Sequence, residues 1–481
     1  MAHIQFGTSG HRGIIGATFT IQHLVAISLA IANYLKKERK IKSPRILLGY
    51  DTRTGNSVHL EEGSYTHAVA QTLLSQGVAV DVCDTPTPTP AISWAVHAFS
   101  YNCGVILTAS HNPPNYNGIK INDANGAPAS PDMTQWIQTE ANAMFEVATL
   151  NKKHTPLMKH VTKINVHNGF VDHLSHVLHN HFNLTFPSFS GTHIIDPKCG
   201  AAIDIWRIIT QHASGTIQWK NDAPSADFNF ELPDPTNQKN LSELKADCKA
   251  SACVGFANDP DADRHVLVDE NGNHVSPEKI TAIVASYCID NAIPVTSIAS
   301  TLANSSLVRS ICNLHGIDFK ETKIGFKYFS QLLKQAKSQH KLCLAVESSG
   351  GFSVSFHTLD KCGFLPILLI LAIMQKTKKS LAQCSAEIDA VHRPFFFVED
   401  ALPSSKITLN QLLDHQVSFD DIFGESVDGI NKNDGLKITF SNSDWILCRP
   451  SGTEPLIRIY AESSSVEKAQ HYVTQMKQHF C

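Results

Sequence analysis

Three aspartates at alternate positions, Asp259, Asp261 and Asp263, are the strongest candidates for chemistry in the 481-residue sequence. Their spacing lets three carboxylates converge on one hard divalent cation through oxygen ligands. Three ligands are too few alone, which leaves room for a phosphate oxygen, as Mg²⁺ usually requires. A solvated acidic turn is the simpler interpretation of the same residues.

A calcium-binding EF-hand loop has nearly the same spacing, with Glu270 at its twelfth position. However, its sixth position holds Arg264, where the sharp turn of an EF-hand needs Gly. The flanking runs 252–256 and 265–268 are typical of strands rather than helices. The sequence therefore disfavours a calcium-sensing module.

Ser110 lies in the stretch Thr-Ala-Ser-His-Asn-Pro-Pro, directly after the apolar run 104–107. We therefore expect Ser110 and its neighbour His111 on a loop at the carboxyl end of a strand, where a nucleophile or phosphoryl carrier belongs. Because Ser and Asn-Pro also favour turns, a plain surface turn is the alternative when this stretch is taken alone.

Three further stretches have the composition of anion or sugar sites. The run 6–13 combines glycines and hydroxyls with Arg12, which suits a loop around an anion, although a flexible arm is the alternative. The run 449–455 joins Arg449 to hydroxyls and a glycine and favours a phosphate cradle, but it lacks the Lys of a P-loop. Glu347 precedes two serines at a predicted strand end and suits either sugar hydroxyls or a plain turn.

Three segments of the chain repeat a pattern of apolar strand, polar loop, helix ending in Gly, and second strand. Each is a predicted βαβ unit, with Gly77, Gly215 or Gly316 stopping the helix in the left-handed conformation. The predicted fold class is α/β, with three tandem similar α/β domains of mixed sheets and a smaller C-terminal α+β domain. The predicted domain boundaries are 1–152, 153–268, 269–388 and 389–481.

Composition argues against several classes of protein. A formal net charge of −4 gives no basic surplus for a nucleic-acid backbone. The 12 cysteines include no C-x-x-C pair, which favours free thiols in a reducing cytoplasm. The N-terminus lacks the pattern of a signal peptide, and the most apolar run, 364–374, is shorter than the roughly 20 residues of a membrane helix. We expect a cytoplasmic protein without membrane or nucleic-acid partners, in which 364–374 is a buried helix.

Taken together, six motifs resemble the α-D-phosphohexomutase family, most closely its bacterial phosphoglucomutases. They are FGTSGHRG (6–13), TASHNPP (108–114), FANDPDADRH (256–265), GFK (325–327), ESSGG (347–351) and RPSGTEP (449–455). The resemblance implies a heart-shaped molecule of four domains, each of which contributes one loop to the active cleft. It further implies an enzyme that interconverts glucose 1-phosphate and glucose 6-phosphate through a phosphoserine and glucose 1,6-bisphosphate. Its partners would be small sugar phosphates, and we expect a monomer or dimer.

The resemblance also implies a role for each matching residue. Ser110 would carry the phosphoryl group and, with the three aspartates Asp259, Asp261 and Asp263, would bind Mg²⁺. The other catalytic residues at the transfer site would be Arg12, Lys120, Arg264 and His111. The substrate would be bound by Glu347, Ser349, Lys327, Arg449, Ser451, Gly452 and Thr453.

The sugar-binding stretch departs from the family pattern at two points. The family's sugar-binding loop usually begins with Gly-Glu, whereas in this chain Ala345 and Val346 precede Glu347. A downstream Asp-Lys-Asp-Gly of the family is replaced by Asp-Lys-Cys-Gly at 360–363. A phosphomannomutase or a dual-specificity enzyme is therefore an alternative. A sugar-phosphate binding protein without turnover is a second alternative, against which the intact Ser110, aspartates, Arg12 and Lys120 argue.

Overall fold

Four β-sheets follow one another along the chain in the computed structural model. The structure describes residues 4–7, 10–57, 59–147, 159–230, 232–403, 423–450 and 456–480. The first three sheets mix parallel and antiparallel strands, whereas the fourth is antiparallel throughout. The predicted class of three α/β domains and a C-terminal α+β domain is confirmed.

The first sheet has the spatial order β1-β5-β4-β2-β3-β6. Its strands are β1 (His11–Ile14), β2 (Arg45–Tyr50), β3 (Ala79–Cys83), β4 (Cys103–Leu107), β5 (Tyr116–Asp123) and β6 (Thr162–Ile164). Its helices are α1 (Ile21–Asn33), α2 (Tyr65–Ser75), α3 (Thr89–Ala98) and α4 (Pro131–Met144). Strand β4 is buried along its whole length, as expected of a central strand covered by helices on both faces.

The second and third sheets have the orders β11-β10-β9-β7-β8 and β13-β12-β14-β15. The second contains β7 (Thr192–Asp196), β8 (Thr216–Trp219), β9 (Val254–Asn258), β10 (His265–Val268) and β11 (His274–Val275), with helices α5 (His167–Phe182), α6 (Ile203–Thr210) and α7 (Ser242–Ser251). The third contains β12 (Val295–Thr301), β13 (Asp318–Thr322), β14 (Leu342–Val346) and β15 (Phe352–Val354), with helices α8 (Pro277–Asp290), α9 (Leu307–His315), α10 (Lys327–Ser338), α11 (Phe364–Thr377) and α12 (Leu381–Val391).

The fourth sheet has the order β16-β20-β19-β18-β17. Its strands are β16 (Phe396–Pro403), β17 (Val427–Asn431), β18 (Leu436–Phe440), β19 (Trp445–Pro450) and β20 (Leu456–Ser463), and the C-terminal helix α13 (Val466–Phe480) packs against β16 and β20. A separate apolar core fills this domain, whereas one continuous core runs through the first three.

The three predicted βαβ units are β2-α2-β3, β7-α6-β8 and β12-α9-β13, and each pairs its two strands in parallel. Gly77 and Gly316 have φ values of 66° and 65°, so both end their helices in the left-handed conformation. The same prediction is wrong for Gly215, which is not left-handed. A Cβ at Gly215 would lie 1.9 Å from the carbonyl oxygen of Gly191, so a close backbone approach requires this glycine.

Helix α11 is buried from Phe364 to Ile373, as expected of a helix that is apolar on all faces. This confirms that the run 364–374 belongs to a core helix. Among the residues that the structure describes, no helix is long and apolar enough to cross a membrane. The eleven cysteines in the same part of the chain are free and buried.

Candidate functional site

Ser110 lies where loops from the first and second domains meet. It follows β4 by three residues, is fully buried, and has a left-handed φ of 53°. Its backbone N–H donates to Thr108 Oγ1 at 2.8 Å, and its hydroxyl donates to Asp259 Oδ2 at 2.6 Å. The serine hydroxyl therefore points at the acidic loop of the other domain.

The acidic loop is a tight turn between strands β9 and β10. The N–H of Ala262 donates to the Asp259 carbonyl at 2.8 Å, and the N–H of Arg264 donates to Asp259 Oδ1 at 3.0 Å. Both flanking elements are strands, so the EF-hand alternative is excluded. The turn directs all three aspartate side chains inward.

The three carboxylates form a site that fits a divalent cation. Asp259, Asp261 and Asp263 are fully buried and offer oxygens that all lie within 4.8 Å of one another. Within the described part of the chain, Asp261 Oδ1 and Asp263 Oδ1 accept no hydrogen bond. Buried carboxylate oxygens that accept no hydrogen bond are suited to a hard cation such as Mg²⁺, which prefers oxygen ligands.

Lys120, on β5 of the first domain, reaches into the same cluster. Its Nζ donates to Asp261 Oδ2 at 2.5 Å and to Asp263 Oδ2 at 2.6 Å. Lys361, from the third domain, lies with its Nζ 3.4 Å from Asp263 Oδ1. Two lysines from different domains therefore contact the two oxygens of one carboxylate.

Burial and neighbouring charges shift the acid–base properties of this cluster. Burial, followed by repulsion from Asp261 and Asp263, raises the pKa of Asp259 well above its usual range. Burial opposes the charge on Lys120, but Asp261 and Asp263 outweigh it and raise the pKa of the lysine. A charged Lys120 is thus held at the acidic loop whose Asp259 accepts the serine hydroxyl.

His111 lies beside the Ser110 hydroxyl, and two arginines lie near His111. The His111 Nδ1 lies 3.4 Å from Ser110 Oγ. Burial, followed by repulsion from Arg264 and Arg12, lowers the pKa of His111 well below its usual value, so its imidazole is neutral at pH 7. Arg12, on β1, donates from Nη1 to the side-chain oxygen of Asn112 at 2.7 Å.

A cleft of about 1140 Å³ is lined by three of the four predicted substrate-binding residues that the structure describes. Its lining includes His111, Arg264, Glu347, Ser349 and Arg449. Because these residues come from all four domains, the structure brings together side chains that lie up to 338 positions apart, from His111 to Arg449.

Lys327 occupies a different position from the other predicted substrate ligands. It lines a smaller recess together with Lys120, Asp263 and Lys361, and this recess shares Phe326 and Lys361 with the large cleft. Ser451, Gly452 and Thr453 lie outside the described residues.

Several site residues were not assigned a role from the sequence. Thr89, at the start of α3, donates its hydroxyl to Asp261 Oδ2 at 2.5 Å and its N–H to the Asp261 carbonyl at 2.9 Å. Asp360 and Lys361 line the recess beside Lys120, and burial raises the pKa of Asp360 to about 6. The Asp-Lys-x-Gly stretch at 360–363 was the available signal for the last two, whereas nothing in the sequence singles out Thr89.

Comparison with known proteins agrees with this geometry. Four models of the phosphoglucomutase/phosphomannomutase family match in chain order: α/β/α domain I at residues 3–148, α/β/α domain II at 169–272, α/β/α domain III at 276–390 and the C-terminal domain at 408–479. A phosphoglucomutase of Komagataeibacter xylinus is 30% identical over 96% of this chain and 87% of its own length. The chain belongs to the phosphoglucomutase/phosphomannomutase family.

Other family members differ in the sugar that their names specify. A Methanobrevibacter smithii protein named "Probable phosphoglucosamine mutase" is 30% identical over 97% of this chain and 96% of its own length. The solved open form of the Paramecium phosphoglucomutase pp63/parafusin covers 99% of this chain and 94% of its own, with a TM-score of 0.79 at 22% identity, which shows a common fold. The chain is therefore a phosphohexomutase enzyme, and family membership does not select among hexose phosphates.

Proposed function

We propose that this phosphohexomutase interconverts glucose 1-phosphate and glucose 6-phosphate through a phosphoserine at Ser110. The observation that carries the proposal is the hydrogen bond from the Ser110 hydroxyl to Asp259, within a buried triad of carboxylates that Lys120 also contacts. Phosphoryl transfer depends on positioning and on neutralising charge on the phosphoryl oxygens, which such a site supplies.

In the first step, phosphorylated Ser110 transfers its phosphoryl group to the free hydroxyl of glucose 1-phosphate. The bond from phosphorus to Ser110 Oγ breaks, a bond to the sugar oxygen forms, and the sugar hydroxyl loses its proton. We assign the neutral imidazole of His111, 3.4 Å from Ser110 Oγ, to accept that proton and to pass it to the released Ser110 Oγ, which becomes a hydroxyl again. Arg12, Lys120 and Arg264 supply positive charge around the moving group.

In the second step, the glucose 1,6-bisphosphate turns over in the cleft and returns its other phosphate to Ser110. The cleft is large enough for this reorientation, at about 1140 Å³. Arg449 would hold the phosphate that is not reacting, completed by Ser451, Gly452 and Thr453 of the same loop. Glu347 and Ser349 would bind sugar hydroxyls, and Lys327 would bind substrate from the adjoining recess.

Asp259, Asp261 and Asp263 would hold Mg²⁺ together with an oxygen of the Ser110 phosphate. The support for this assignment is the donor set itself, three buried carboxylates with two oxygens that accept no hydrogen bond within the described chain. When bound, the cation supplies charge neutralisation for the phosphoryl group. The free thiols support a cytoplasmic enzyme, and the net charge of −4 argues against a nucleic-acid partner. We further propose that the enzyme acts on sugar phosphates as a monomer or dimer.

The test is a substrate competition with purified protein, Mg²⁺ and a trace of glucose 1,6-bisphosphate. Glucose 1-phosphate, mannose 1-phosphate and glucosamine 1-phosphate are compared by kcat/KM, with Ser110→Ala as the matched control. We expect glucose 1-phosphate to give the highest value. A higher value for mannose 1-phosphate or glucosamine 1-phosphate would replace the proposed sugar, and binding without turnover of any of the three would overturn the enzyme mechanism.

Intact mass measurement tests the phosphoserine independently of the sugar. After incubation with glucose 1,6-bisphosphate, the wild type should carry one phosphate that Ser110→Ala cannot carry. If neither protein gains a phosphate, the phosphoserine mechanism is wrong.

A further inference from the structure

The guanidinium group of Arg53 is buried directly beneath the loop that carries Ser110. Its Nη2 donates to the carbonyls of Ser110 and Asn112 at 2.5 and 2.6 Å, and its Nη1 donates to the carbonyls of Pro113 and Tyr116 at 2.9 Å each. The Arg53 side chain has no exposed surface. One side chain therefore fixes four backbone carbonyls within seven consecutive residues.

A second arm of the same network reaches Ser110 from the other side. Arg53 Nε lies 3.2 Å from Asp51 Oδ2, which also accepts the Thr108 hydroxyl at 2.6 Å. Thr108 Oγ1 in turn accepts the N–H of Ser110 at 2.8 Å. The N–H and the carbonyl of Ser110 are thus both connected to Arg53, one through Asp51 and Thr108 and the other directly.

The conformation of Ser110 explains what this network does. A φ of 53° is unfavourable for a serine, so the surrounding contacts must impose it. This conformation directs the hydroxyl to Asp259. The same loop carries Asn112, whose side chain accepts from Arg12, so the network also fixes one guanidinium of the transfer site.

Arg53 lies outside both cavities of the candidate site. It lines neither the large cleft nor the smaller recess, and its guanidinium lies 4.8 Å from the ring centroid of Phe228. A lysine could not replace it, because one ammonium nitrogen cannot reach four carbonyls that Arg53 contacts from two nitrogens. The arrangement requires the planar fork of an arginine.

We propose that Arg53 is a positioning residue for phosphoryl transfer, which holds Ser110 in its left-handed conformation with the hydroxyl aimed at the acidic loop. This inference rests on the proposed function, in which Ser110 accepts and returns the phosphoryl group. In the step that it controls, phosphorus leaves a sugar oxygen of glucose 1,6-bisphosphate and bonds to Ser110 Oγ, while the serine proton passes to the released sugar oxygen, which becomes a hydroxyl.

The experiment measures how fast dephosphorylated enzyme is rephosphorylated by glucose 1,6-bisphosphate, by intact mass against time. Arg53→Lys is compared with wild type and with Arg45→Lys, which alters an arginine of the same strand region that pairs with Asp81. We expect Arg53→Lys to slow rephosphorylation and kcat by roughly 100-fold, because a misplaced nucleophile loses that much, with the KM for glucose 1-phosphate within threefold of wild type. Arg45→Lys should stay within twofold of wild type in all three measurements.

Rephosphorylation of folded Arg53→Lys within twofold of wild type would overturn the inference. A loss of kcat that merely follows the folded fraction, measured by circular dichroism, would also overturn it. If Arg53→Lys does not fold, Thr108→Val decides, because it removes only the hydroxyl between Asp51 and Ser110. In Thr108→Val, a lowered kcat with an unchanged KM would support the inference, and a kcat equal to that of wild type would overturn it.

Failure of the proposed function gives a different result. If the wild type itself gains no phosphate from glucose 1,6-bisphosphate, the phosphoserine mechanism fails whatever the variants do. If the wild type is phosphorylated and Arg53→Lys matches it, only the role of Arg53 fails.

Discussion

Ser110 in the first domain and Asp259 in the second domain are joined by a hydrogen bond of 2.6 Å between the serine hydroxyl and a carboxylate oxygen. The two residues lie 149 positions apart, on loops that follow strands of different sheets. The proposed phosphorylation of Ser110 would remove the hydroxyl proton that makes this bond. The two oxygens would then repel each other unless a cation lay between them.

Asp259→Asn should therefore weaken metal binding and slow turnover. We expect a loss of at least about 100-fold in kcat, because the amide brings no negative charge to the cation. Mg²⁺ affinity is measured by calorimetry on the phosphorylated protein. Asp247→Asn, which alters a partly exposed partner of Lys220, is the control and should bind Mg²⁺ normally. Equal Mg²⁺ affinity in Asp259→Asn and wild type would show that Asp259 is not a ligand.

Lys120→Met tests whether the lysine and the cation neutralise the same carboxylates. Without Lys120, Asp261 and Asp263 lose their closest positive charge. In the absence of metal, the free energy of unfolding of the variant should therefore be roughly 3 kcal/mol lower than that of wild type. Mg²⁺ should then raise the unfolding temperature of the variant more than that of wild type. The measurement is thermal unfolding in EDTA and in excess Mg²⁺, with Lys220→Met as control. If Mg²⁺ raises the unfolding temperature of Lys120→Met and of wild type equally, the lysine and the cation do not neutralise the same carboxylates.

The positions of the active loops could be predicted because apolar runs mark buried strands. Ser110 follows β4, Asp259 follows β9 and Glu347 follows β14, each at the carboxyl end where ligands of such sheets collect. Each of these loops directly follows an apolar run, so the sequence alone predicts its place at a strand end. Local composition is sufficient for such predictions, since a strand and its following loop are adjacent in the chain.

Contacts between domains could not be predicted in the same way. Thr89 reaches Asp261 from 172 positions away, and Lys361 reaches Asp263 only because the third domain packs against the second. Arg53 illustrates a second limit, since its partners are backbone carbonyls, which any sequence would offer. At Gly215, the close approach to Gly191 depends on how two loops pack, so the sequence suggested the wrong reason for the glycine.

Glu462→Gln should loosen the contact between the third and fourth domains. The buried carboxylate of Glu462 accepts the N–H of Ser306, just before α9, at 2.9 Å and the indole N–H of Trp445 at 2.9 Å. An amide offers one acceptor oxygen and no charge, so we expect the variant to lose roughly 2 kcal/mol of the free energy that stabilises this contact. Hydrogen exchange at the start of α9 measures the effect. Glu467→Gln, at an exposed site on α13, should leave exchange unchanged, and equal protection in both variants would contradict this role.

The histidine pair His173 and His357 should make stability depend on pH. Their rings stack with centroids 5.1 Å apart, and His173 Nε2 lies 3.0 Å from His357 Nδ1. Burial, followed by repulsion from Lys337, lowers the pKa of His173 to about 4 from 6.5. Between these values the unfolded chain binds more protons than the folded protein. The contribution of neutral His173 to the free energy of unfolding is therefore complete above pH 6.5, and it is lost as the pH falls towards 4.

The test compares urea unfolding of wild type and His173→Phe at pH 7.5 and pH 5. Phenylalanine keeps an aromatic ring against Trp94 but cannot take up a proton. The missing bond to His357 therefore lowers the free energy of unfolding of the variant by the same amount at both pH values. From the lowered pKa of His173, the free energy of unfolding of wild type should fall by about 2 kcal/mol more than that of the variant when the pH drops from 7.5 to 5. His471→Phe, at an exposed position of α13, should follow wild type. If His173→Phe loses as much stability as wild type, the acid sensitivity arises from other groups, and His173 is not the residue that resists protonation in the folded protein.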